Sequence, residues 1–217
     1  MTAIGGYALR NLCRVLSLFQ DEVRMDHPVV VDKAHVMICI VEPTPMFGVE
    51  CTHGLNVKDI LKMKLEDEKF EASVEGDRYV LSNPDREYSF HLLDEEGLPR
   101  PKPPVFDTTA VIETDSRTLQ RAAEKCSLIS DHCVIANGRM SAEGVDTEVS
   151  VVLGADDGTG CRTMMPLDYL LKVSKVMIGK ARLEFSADTP LKIGWSDGGY
   201  GYTVMIAPRI ENKEGKE

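Results

Sequence analysis

The stretch Gly97-Leu98-Pro99-Arg100-Pro101-Lys102-Pro103-Pro104 divides this chain of 217 residues into halves of similar length. Four of its eight residues are proline, which lacks a backbone N–H and has a fixed φ, so neither a helix nor a central strand can form here. Such a composition is typical of an extended, semi-rigid connector. We therefore predict an N-terminal domain over residues 1–93, a connector over 94–106 and a C-terminal domain over 107–217.

The two halves on either side of this stretch resemble each other. A shift of 110 positions places Leu9 over Leu119 and Asp21 over Asp131. We interpret this weak match as a tandem duplication of one fold, because the predicted elements also follow in the same order. Chance similarity between two amphipathic helices is the alternative.

Each half is predicted to contain a helix, strands, a second helix and further strands. Apolar residues recur at helical spacing in segments 8–20, 56–65, 115–130 and 166–178, with Asn56 a plausible N-cap and Pro166 suited to a first turn. Few connections fit a parallel βαβ repeat, so the predicted class is α+β with largely antiparallel sheets. Strand-like runs occupy residues 29–31, 36–41, 70–74, 78–81, 88–92, 105–113, 133–136, 148–153, 182–186, 191–195 and 202–207.

Positive and negative residues are distributed unevenly along the chain. The net charge of −10, taken alone, argues against a nucleic-acid partner, yet the four helical segments (the last extended to residue 180) sum to +7 and leave −17 for the rest. One such helix would be explained by a solvated polar face, but four of the same sign favour a basic surface facing DNA. Few aromatic residues accompany these positions, so we expect phosphate contacts without sequence specificity. The candidate DNA-facing residues are Arg10, Arg14, Lys58, Lys62, Lys64, Arg117, Arg121, Lys125, Lys172, Lys175 and Lys180.

The sequence offers few candidate residues for a catalytic site. The six cysteines form no Cys-x-x-Cys pair, and we expect reduced thiols in a packed interior, with no metal site or disulfide framework. Cys51 and His53 are close in sequence, but no third residue is evident to orient them as a nucleophile pair. The loop 154–160 lacks calcium-ligand spacing and the P-loop lysine. We predict no enzymatic activity and no cofactor, in a soluble, intracellular protein without a membrane span.

Several stretches resemble the proliferating cell nuclear antigen (PCNA) family of DNA sliding clamps, in a shortened and divergent archaeal form. Residues 183–191 (LEFSADTPL) and 206–211 (IAPRIE) resemble its last hairpin and C-terminus. Residues 168–171 (DYLL) resemble its last helix, 141–144 (SAEG) a turn in its second domain, and 32–36 (DKAHV) a loop in its first domain. The resemblance covers nearly the whole chain and is strongest from about residue 107 onward.

The resemblance implies two tandem clamp domains, with antiparallel sheets outside and basic helices inside a ring of three subunits. It implies a processivity factor that encircles duplex DNA without sequence specificity and tethers replication and repair enzymes. The implied partners are DNA polymerase, flap endonuclease, DNA ligase, other proteins with clamp-binding peptides, and an ATP-driven clamp loader. The implied location is the cytoplasm at the nucleoid, or the nucleus in a eukaryote.

The resemblance also implies two kinds of contact site. Edge strands of both domains would form the subunit interface, with Tyr88, Phe90, Leu92, Val149, Val151 and Leu153. A groove beneath the connector would bind partner peptides, with Val31, His35, Val36, Leu98, Pro99, Pro190, Met205, Ala207 and Pro208.

The sequence departs from the family in its length. The strand before Ala8 is expected to be nearly absent, the segments 23–31 and 153–165 are trimmed, and Met205 stands where the family often has an aromatic residue. These departures leave a second hypothesis open: a clamp-fold adaptor that stays monomeric or joins a heteromeric ring.

Overall fold

The computed structural model describes residues 2–65, 68–155 and 160–209. The chain forms two compact units. Unit 1 comprises Met1–Pro104 and Ser196–Thr203, and unit 2 comprises Val105–Trp195 and Val204–Glu217. The sequence-based division at residues 93 and 107 remains a prediction, because units defined by contacts need not coincide with the repeats of a duplicated fold.

Both halves of the chain contain the same series of elements: one strand, a helix, four strands, a second helix and three strands. The spacing from Gly6 to Ser116, where the first helices begin, and from Val57 to Leu167, where the second begin, is 110 residues in both cases. This repeated order supports the tandem duplication. The elements of the first half are β1 (Thr2–Gly5), α1 (Gly6–Leu16), β2 (Glu22–Arg24), β3 (Val29–Val31), β4 (Met37–Glu42), β5 (Gly54–Asn56), α2 (Val57–Lys62), β6 (Lys69–Glu75), β7 (Arg78–Ser82) and β8 (Glu87–His91). Those of the second half are β9 (Ala110–Asp115), α3 (Ser116–Ser127), β10 (His132–Ala136), β11 (Arg139–Glu143), β12 (Glu148–Val152), β13 (Arg162–Pro166), α4 (Leu167–Val176), β14 (Lys180–Phe185), β15 (Leu191–Asp197) and β16 (Tyr200–Ile206).

Unit 1 is built on antiparallel strands with a helix pair. One sheet has the order β1-β6-β7-β8, β2 pairs with β5, and β3 and β4 form a hairpin. Helix α1 packs against α2 and β1. Its residues Leu9, Leu12 and Leu16 are fully buried, as the helical spacing of apolar positions requires.

Buried hydroxyl groups also fix the interior of unit 1. The hydroxyl of Tyr79 donates a hydrogen bond to the carbonyl of Phe47 at 3.0 Å, and that of Tyr200 donates to the carbonyl of Met46 at 2.6 Å. Each pairs a buried polar group that would otherwise lose its bonds to water, so the loop that carries Met46 and Phe47 is held against the core.

Unit 2 repeats this architecture. One sheet has the order β12-β11-β10-β13, and β15, β14 and β9 follow in that order in another. Helix α3 packs against α4 and against β9 to β12. The Asp115 carboxylate caps α3 by accepting hydrogen bonds from the backbone N–H groups of Arg117 and Thr118, both at 3.0 Å.

The structure confirms the α+β class and all four predicted helices, and it corrects several strands. A strand of four residues, β1, precedes α1 and pairs with β6, so the expectation that this strand is nearly absent was wrong. The predicted strand at 105–113 begins only at Ala110. Residues 141–143, which resembled a turn, belong to β11. The sequence prediction also missed β2, β5 and β13, which contain three to five residues each.

Candidate nucleic-acid and partner interfaces

The eleven candidate DNA-facing side chains are all exposed. In α1, Arg10 and Arg14 lie opposite the buried Leu9, Leu12 and Cys13, because residues four positions apart share one face of a helix. The others lie on α2, α3 and α4, except that Lys64 follows α2 and Lys180 begins β14. The basic faces predicted from the sequence therefore exist on each helix.

Three of these cations have acidic neighbours. The ammonium group of Lys58 lies 2.8 Å from Asp21, that of Lys62 lies 2.6 Å from Asp59, and that of Lys172 lies 3.9 Å from Asp168. For the remaining eight, no carboxylate within residues 2–65, 68–155 and 160–209 lies within the ion-pair distance of 4.0 Å. Surface pairs of this kind contribute little and are weakened by salt, so phosphate groups could compete for all eleven cations.

Strands β8 and β12 each have one neighbour only among the described strands, which leaves one edge of each open. In β12, Val149 and Val151 are half-buried and Val152 is 54% exposed. Such an edge presents unpaired N–H and C=O groups that another strand can bind. Tyr88 of β8 is also half-buried, with its ring 5.9 Å from that of Phe70.

The proposed interface residues differ in how accessible they are. Phe90 and Leu153 have exposures of 6% and 4% because their side chains point into the core of their own unit. The Phe90 ring lies 6.3 Å from that of Tyr79. Leu92 is half-buried, and its N–H donates to the carbonyl of Asp77. A neighbouring chain would therefore contact the edge backbone of these strands more than the side chains of Phe90 and Leu153.

Asp32 orders the loop that resembles a partner-binding segment. Its carboxylate accepts hydrogen bonds from the backbone N–H groups of Ala34 at 3.2 Å, Val36 at 2.7 Å and Met37 at 2.7 Å. These bonds hold a tight turn in which His35 has a φ of 57° and an exposed side chain. Val31, before the turn, is buried, and Val36 is half-buried.

The first half of the connector is docked on unit 1. Leu93 and Gly54 exchange two backbone hydrogen bonds of 2.9 Å. The half-buried Leu98 lies over Gly54, so closely that a Cβ added to Gly54 would come within 2.1 Å of its Cδ1. Further along, Nε2 of His27 is 2.9 Å from the carbonyl of Pro101. Pro99 is exposed between these contacts.

A cluster of two arginines and two carboxylates also holds this segment on unit 1. Arg24, whose side chain is 4% exposed, donates to Asp26 and to Glu95, with both closest distances 3.0 Å. Arg100 lies 2.8 Å from Asp26. Burial opposes ionisation of Asp26, but hydrogen bonds from Arg24 and the positive charges of Arg24 and Arg100 outweigh it and lower the pKa of this carboxyl group. The sequence carried no signal for this cluster, because Arg24 and Glu95 are 71 residues apart.

The other candidate pocket residues belong to unit 2. Pro190, Ala207 and Pro208 are half-buried, and Met205 has an exposure of 6%. The segment that follows β16 is fixed by Arg209, whose N–H donates to the carbonyl of Met164 at 2.9 Å. Whether the nine proposed positions form one groove stays a prediction.

The guanidinium group of Arg209 adds an ion pair with Asp131 at 2.6 Å. His132 also contacts this carboxylate, at 2.6 Å. The hydrogen bond from His132, followed by the one from Arg209, lowers the pKa of Asp131 to about 2. The start of the C-terminal segment is thus held by a charged group that stays ionised over a wide pH range.

One thiol–imidazole pair lies beside a cavity of unit 1. Sγ of Cys51 is 3.6 Å from Nδ1 of His53, beside a cavity of about 600 Å³ that Asp26 and Glu50 also line. Within the described part of the chain, no cluster of three or more His, Cys, Asp or Glu residues could hold a metal ion. None of the helices in the described ranges has the length and hydropathy of a membrane-spanning segment.

Four of the six cysteines, Cys13, Cys39, Cys126 and Cys133, are buried, as the sequence predicted, whereas Cys51 and Cys161 are half-buried. Burial raises the pKa of each of these four thiols. Because the thiolate is the reactive form, these groups act as small apolar residues of the core.

Two like units with antiparallel sheets, helices with exposed basic residues, and open edges at β8 and β12 are the features expected of a clamp-fold protein. No known family model matches the sequence. The chain is 28% identical over 241 aligned positions to the DNA polymerase sliding clamp of Methanococcoides burtonii, covering 96% of this chain and 98% of that protein. It is 26% identical to the DNA polymerase sliding clamp of Halobacterium salinarum over 142 positions, which cover 58% of each chain.

Solved structures show the same fold. PCNA of A. fulgidus, in a complex with the C-terminal region of FEN-1, superposes with a TM-score of 0.83 at 22% identity and covers 98% of this chain and 99% of that one. PCNA of Thermococcus kodakaraensis superposes with a TM-score of 0.79 at 19% identity, covering 96% and 99%. The chain therefore has the PCNA-type sliding-clamp fold and resembles archaeal sliding clamps in sequence over nearly its full length.

Proposed function

We propose that this protein is a DNA sliding clamp: a non-enzymatic processivity factor that encircles duplex DNA and tethers replication and repair enzymes to it. The observation that carries the proposal is the set of eleven exposed cations on or beside four helices of a clamp fold, in a chain whose net charge is −10. Salt-sensitive phosphate contacts of this kind are independent of base sequence. Topological linkage, rather than tight binding, would keep such a ring on DNA.

The repeated order of elements supports a head-to-tail assembly of subunits. In the strand order of one sheet, β4 is the neighbour of β16. In the repeat, β12 corresponds to β4 and β8 corresponds to β16. Pairing of β12 in one subunit with β8 in the next would repeat this internal arrangement and cover both open edges. Such heterologous contacts close into a ring, for which we propose three identical subunits.

The proposed partners follow from the clamp function. The polymerase, the flap endonuclease, the DNA ligase and related enzymes would dock through short peptides at the connector, at the loop ordered by Asp32 and at the segment after β16. Placing a closed ring on DNA requires a clamp loader that uses ATP. A. fulgidus PCNA, whose fold this chain shares, is bound to the C-terminal region of FEN-1 in its structure, which supports a clamp-binding partner of this kind for the present chain.

Subunit number is the first test of this proposal. Light scattering on the size-exclusion eluate, across a range of protein concentrations, is expected to give three times the subunit mass of 24.0 kDa. Val151→Arg in the open edge of β12 should reduce the mass to that of a monomer, because an arginine there cannot be buried without a partner. Val145→Arg is the matched control, because Val145 is 99% exposed in the turn before β12. A wild-type monomer at all concentrations would favour the adaptor hypothesis instead.

Reversal of charge on the helices tests the DNA-facing surface. Changing Arg10, Arg14, Lys172 and Lys175 to Glu should abolish stimulation of a DNA polymerase on primed DNA while leaving subunit assembly intact. Each lost phosphate contact should also reduce the slope of log K against log salt by about 0.9. Arg78→Glu with Arg139→Glu, on sheets rather than helices, is the control. Unchanged stimulation by the helix variant would refute the assignment.

A further inference from the structure

The contacts of Arg24 join two segments that are far apart in the sequence. Its guanidinium group donates to the carboxylate of Asp26 on one side, and to both the backbone carbonyl, at 3.2 Å, and the carboxylate, at 3.0 Å, of Glu95 on the other. A planar guanidinium can hold three such acceptors at once, which a lysine ammonium group cannot do with the same geometry. Arg24 thereby links β2 to the start of the connector.

Burial makes this link strong. Arg24 is 4% exposed, whereas Asp26 and Glu95 are 25% and 53% exposed. A buried cation is tolerated only when charged partners and hydrogen bonds replace its water. Release of the connector would remove two of those acceptors, so the docked connector is favoured by the need to satisfy Arg24. Both carboxylates, in contrast, can be hydrated in its absence.

A second cation, Arg100, contacts the same two carboxylates. Arg100 lies 2.8 Å from Asp26 and 4.0 Å from Glu95, so two arginines and two acids alternate in sign. Glu95 and Arg100 mark the two ends of a six-residue segment, and the side chain of Leu98, between them, lies over Gly54. The connector is therefore fixed on unit 1 at both ends and in the middle of this segment.

We infer that Arg24 is a positioning residue for partner docking, which holds residues 95–101 of the connector in one conformation before any partner binds. This inference rests on the proposed clamp function, in which partner peptides dock beside the connector. When the binding-competent conformation is only fractionally populated, the apparent dissociation constant rises in inverse proportion to that fraction. A connector already held by Arg24 avoids this loss, and it presents Pro99 and the neighbouring backbone to the partner in a fixed geometry.

The experiment uses the full-length protein with four variants. Arg24→Met removes the charge and keeps much of the apolar volume, Arg24→Lys keeps the charge without the planar fork, and Glu95→Gln alters only the connector side. Arg182→Met is the control, because Arg182 is an ion-paired but half-exposed arginine of unit 2. Amide hydrogen exchange reports the order of residues 94–101. Calorimetric titration with the C-terminal peptide of A. fulgidus FEN-1 reports docking.

Amide exchange in residues 94–101 is expected to accelerate by about tenfold to a hundredfold in Arg24→Met, because the loss of hydrogen bonds to a charged group should raise the population of the open connector by about that factor. Glu95→Gln and Arg24→Lys should show intermediate effects and the control none. Glu95→Gln keeps Arg24 paired with Asp26. If Arg24→Met fails to fold, the exchange rates of Glu95→Gln therefore test whether Arg24 holds the connector. Peptide affinity should fall in the same order, by about tenfold for Arg24→Met.

Two results would contradict the inference, and a third would contradict the proposed docking function instead. Unchanged exchange in both Arg24→Met and Glu95→Gln would show that Arg24 does not hold the connector. Faster exchange with unchanged peptide affinity in these variants would show that Arg24 has a structural role only and does not assist docking. If the wild type does not bind the peptide while exchange responds as expected, the proposed docking function fails and the role of Arg24 in ordering the connector stands.

Discussion

The close approach of Leu98 to Gly54 gives a prediction that can be worked out in atomic terms. In Gly54→Ala, the new Cβ would lie 2.1 Å from Cδ1 of Leu98, 3.3 Å from Cβ of Leu93 and 3.4 Å from the carbonyl oxygen of Val23. Carbon atoms in contact are about 3.5–4.0 Å apart, so Leu98 would have to move by about 1.5 Å. Because its Cδ1 is the end of a flexible side chain, we expect Leu98 to swing away and the connector to loosen.

The expected cost is that of overpacking, about 1–3 kcal/mol of unfolding free energy. Leu98→Ala alone should cost about 1–2 kcal/mol, below the usual range for a buried leucine, because Leu98 is only half-buried. In the double variant the methyl group introduced by Gly54→Ala would fill the space that Leu98 leaves. The two changes together should therefore cost about 1–2 kcal/mol less than the sum of the single effects.

Urea unfolding of the four proteins measures these free energies, provided that the slope with urea stays constant across the set. Gly201→Ala is the matched control in the same unit, because the nearest atom to a Cβ at Gly201 is the carbonyl oxygen of Glu42, at 3.9 Å. It should change stability by less than about 0.5 kcal/mol. Additivity of Gly54→Ala and Leu98→Ala within about 0.5 kcal/mol would refute the seating of Leu98 on Gly54.

Two further predictions concern unit 2. Asp115→Ala should lower the unfolding free energy by about 1 kcal/mol, because α3 loses its N-cap, while Asp115→Asn should retain most of the stability in the same urea titration. Asp131 has a pKa lowered from 3.8 to about 2 in the folded protein, so its hydrogen bonds with His132 and Arg209 stabilise the fold above pH 3.8, and this stabilisation is lost as the pH falls through 2. Asp131→Asn should therefore lower the melting temperature slightly at pH 6 and have a smaller effect at pH 2, where the carboxyl group is about half protonated. An equal effect at both pH values would contradict the ionic origin.

The helices could be predicted from the sequence because their signal is local. Helix α3 has fully buried residues at Leu119, Ala122, Ala123 and Cys126, which is the spacing that the sequence displays. Strand β11, in contrast, reads Arg-Met-Ser-Ala-Glu, and only Met140 and Ala142 face the core. Two small or flexible apolar residues in five provide too weak a signal for a strand, so pairing with β10 and β12 decides its structure.

The candidate interfaces were predictable to different degrees. Exposed cations on helix faces follow directly from periodicity, and the structure places all eleven at the surface. The burial of Phe90 and Leu153 was not predictable, because the alternation along a strand shows which residues share a face but not which face is the core, and Leu153 lies just beyond the end of β12. The contacts of Arg24 depend on a connector that returns to β2 after 71 residues, and no local pattern encodes that distance.

The uneven burial of the thiols has a practical consequence. Four cysteines are buried, whereas Cys51 in unit 1 and Cys161 in unit 2 are half-exposed. A maleimide dye would thus react at one position in each unit without any engineered cysteine. Energy transfer between dyes on neighbouring subunits of the proposed ring would follow the separation of those subunits in solution, and its change on adding loader, ATP and primed DNA would record ring opening in the native sequence.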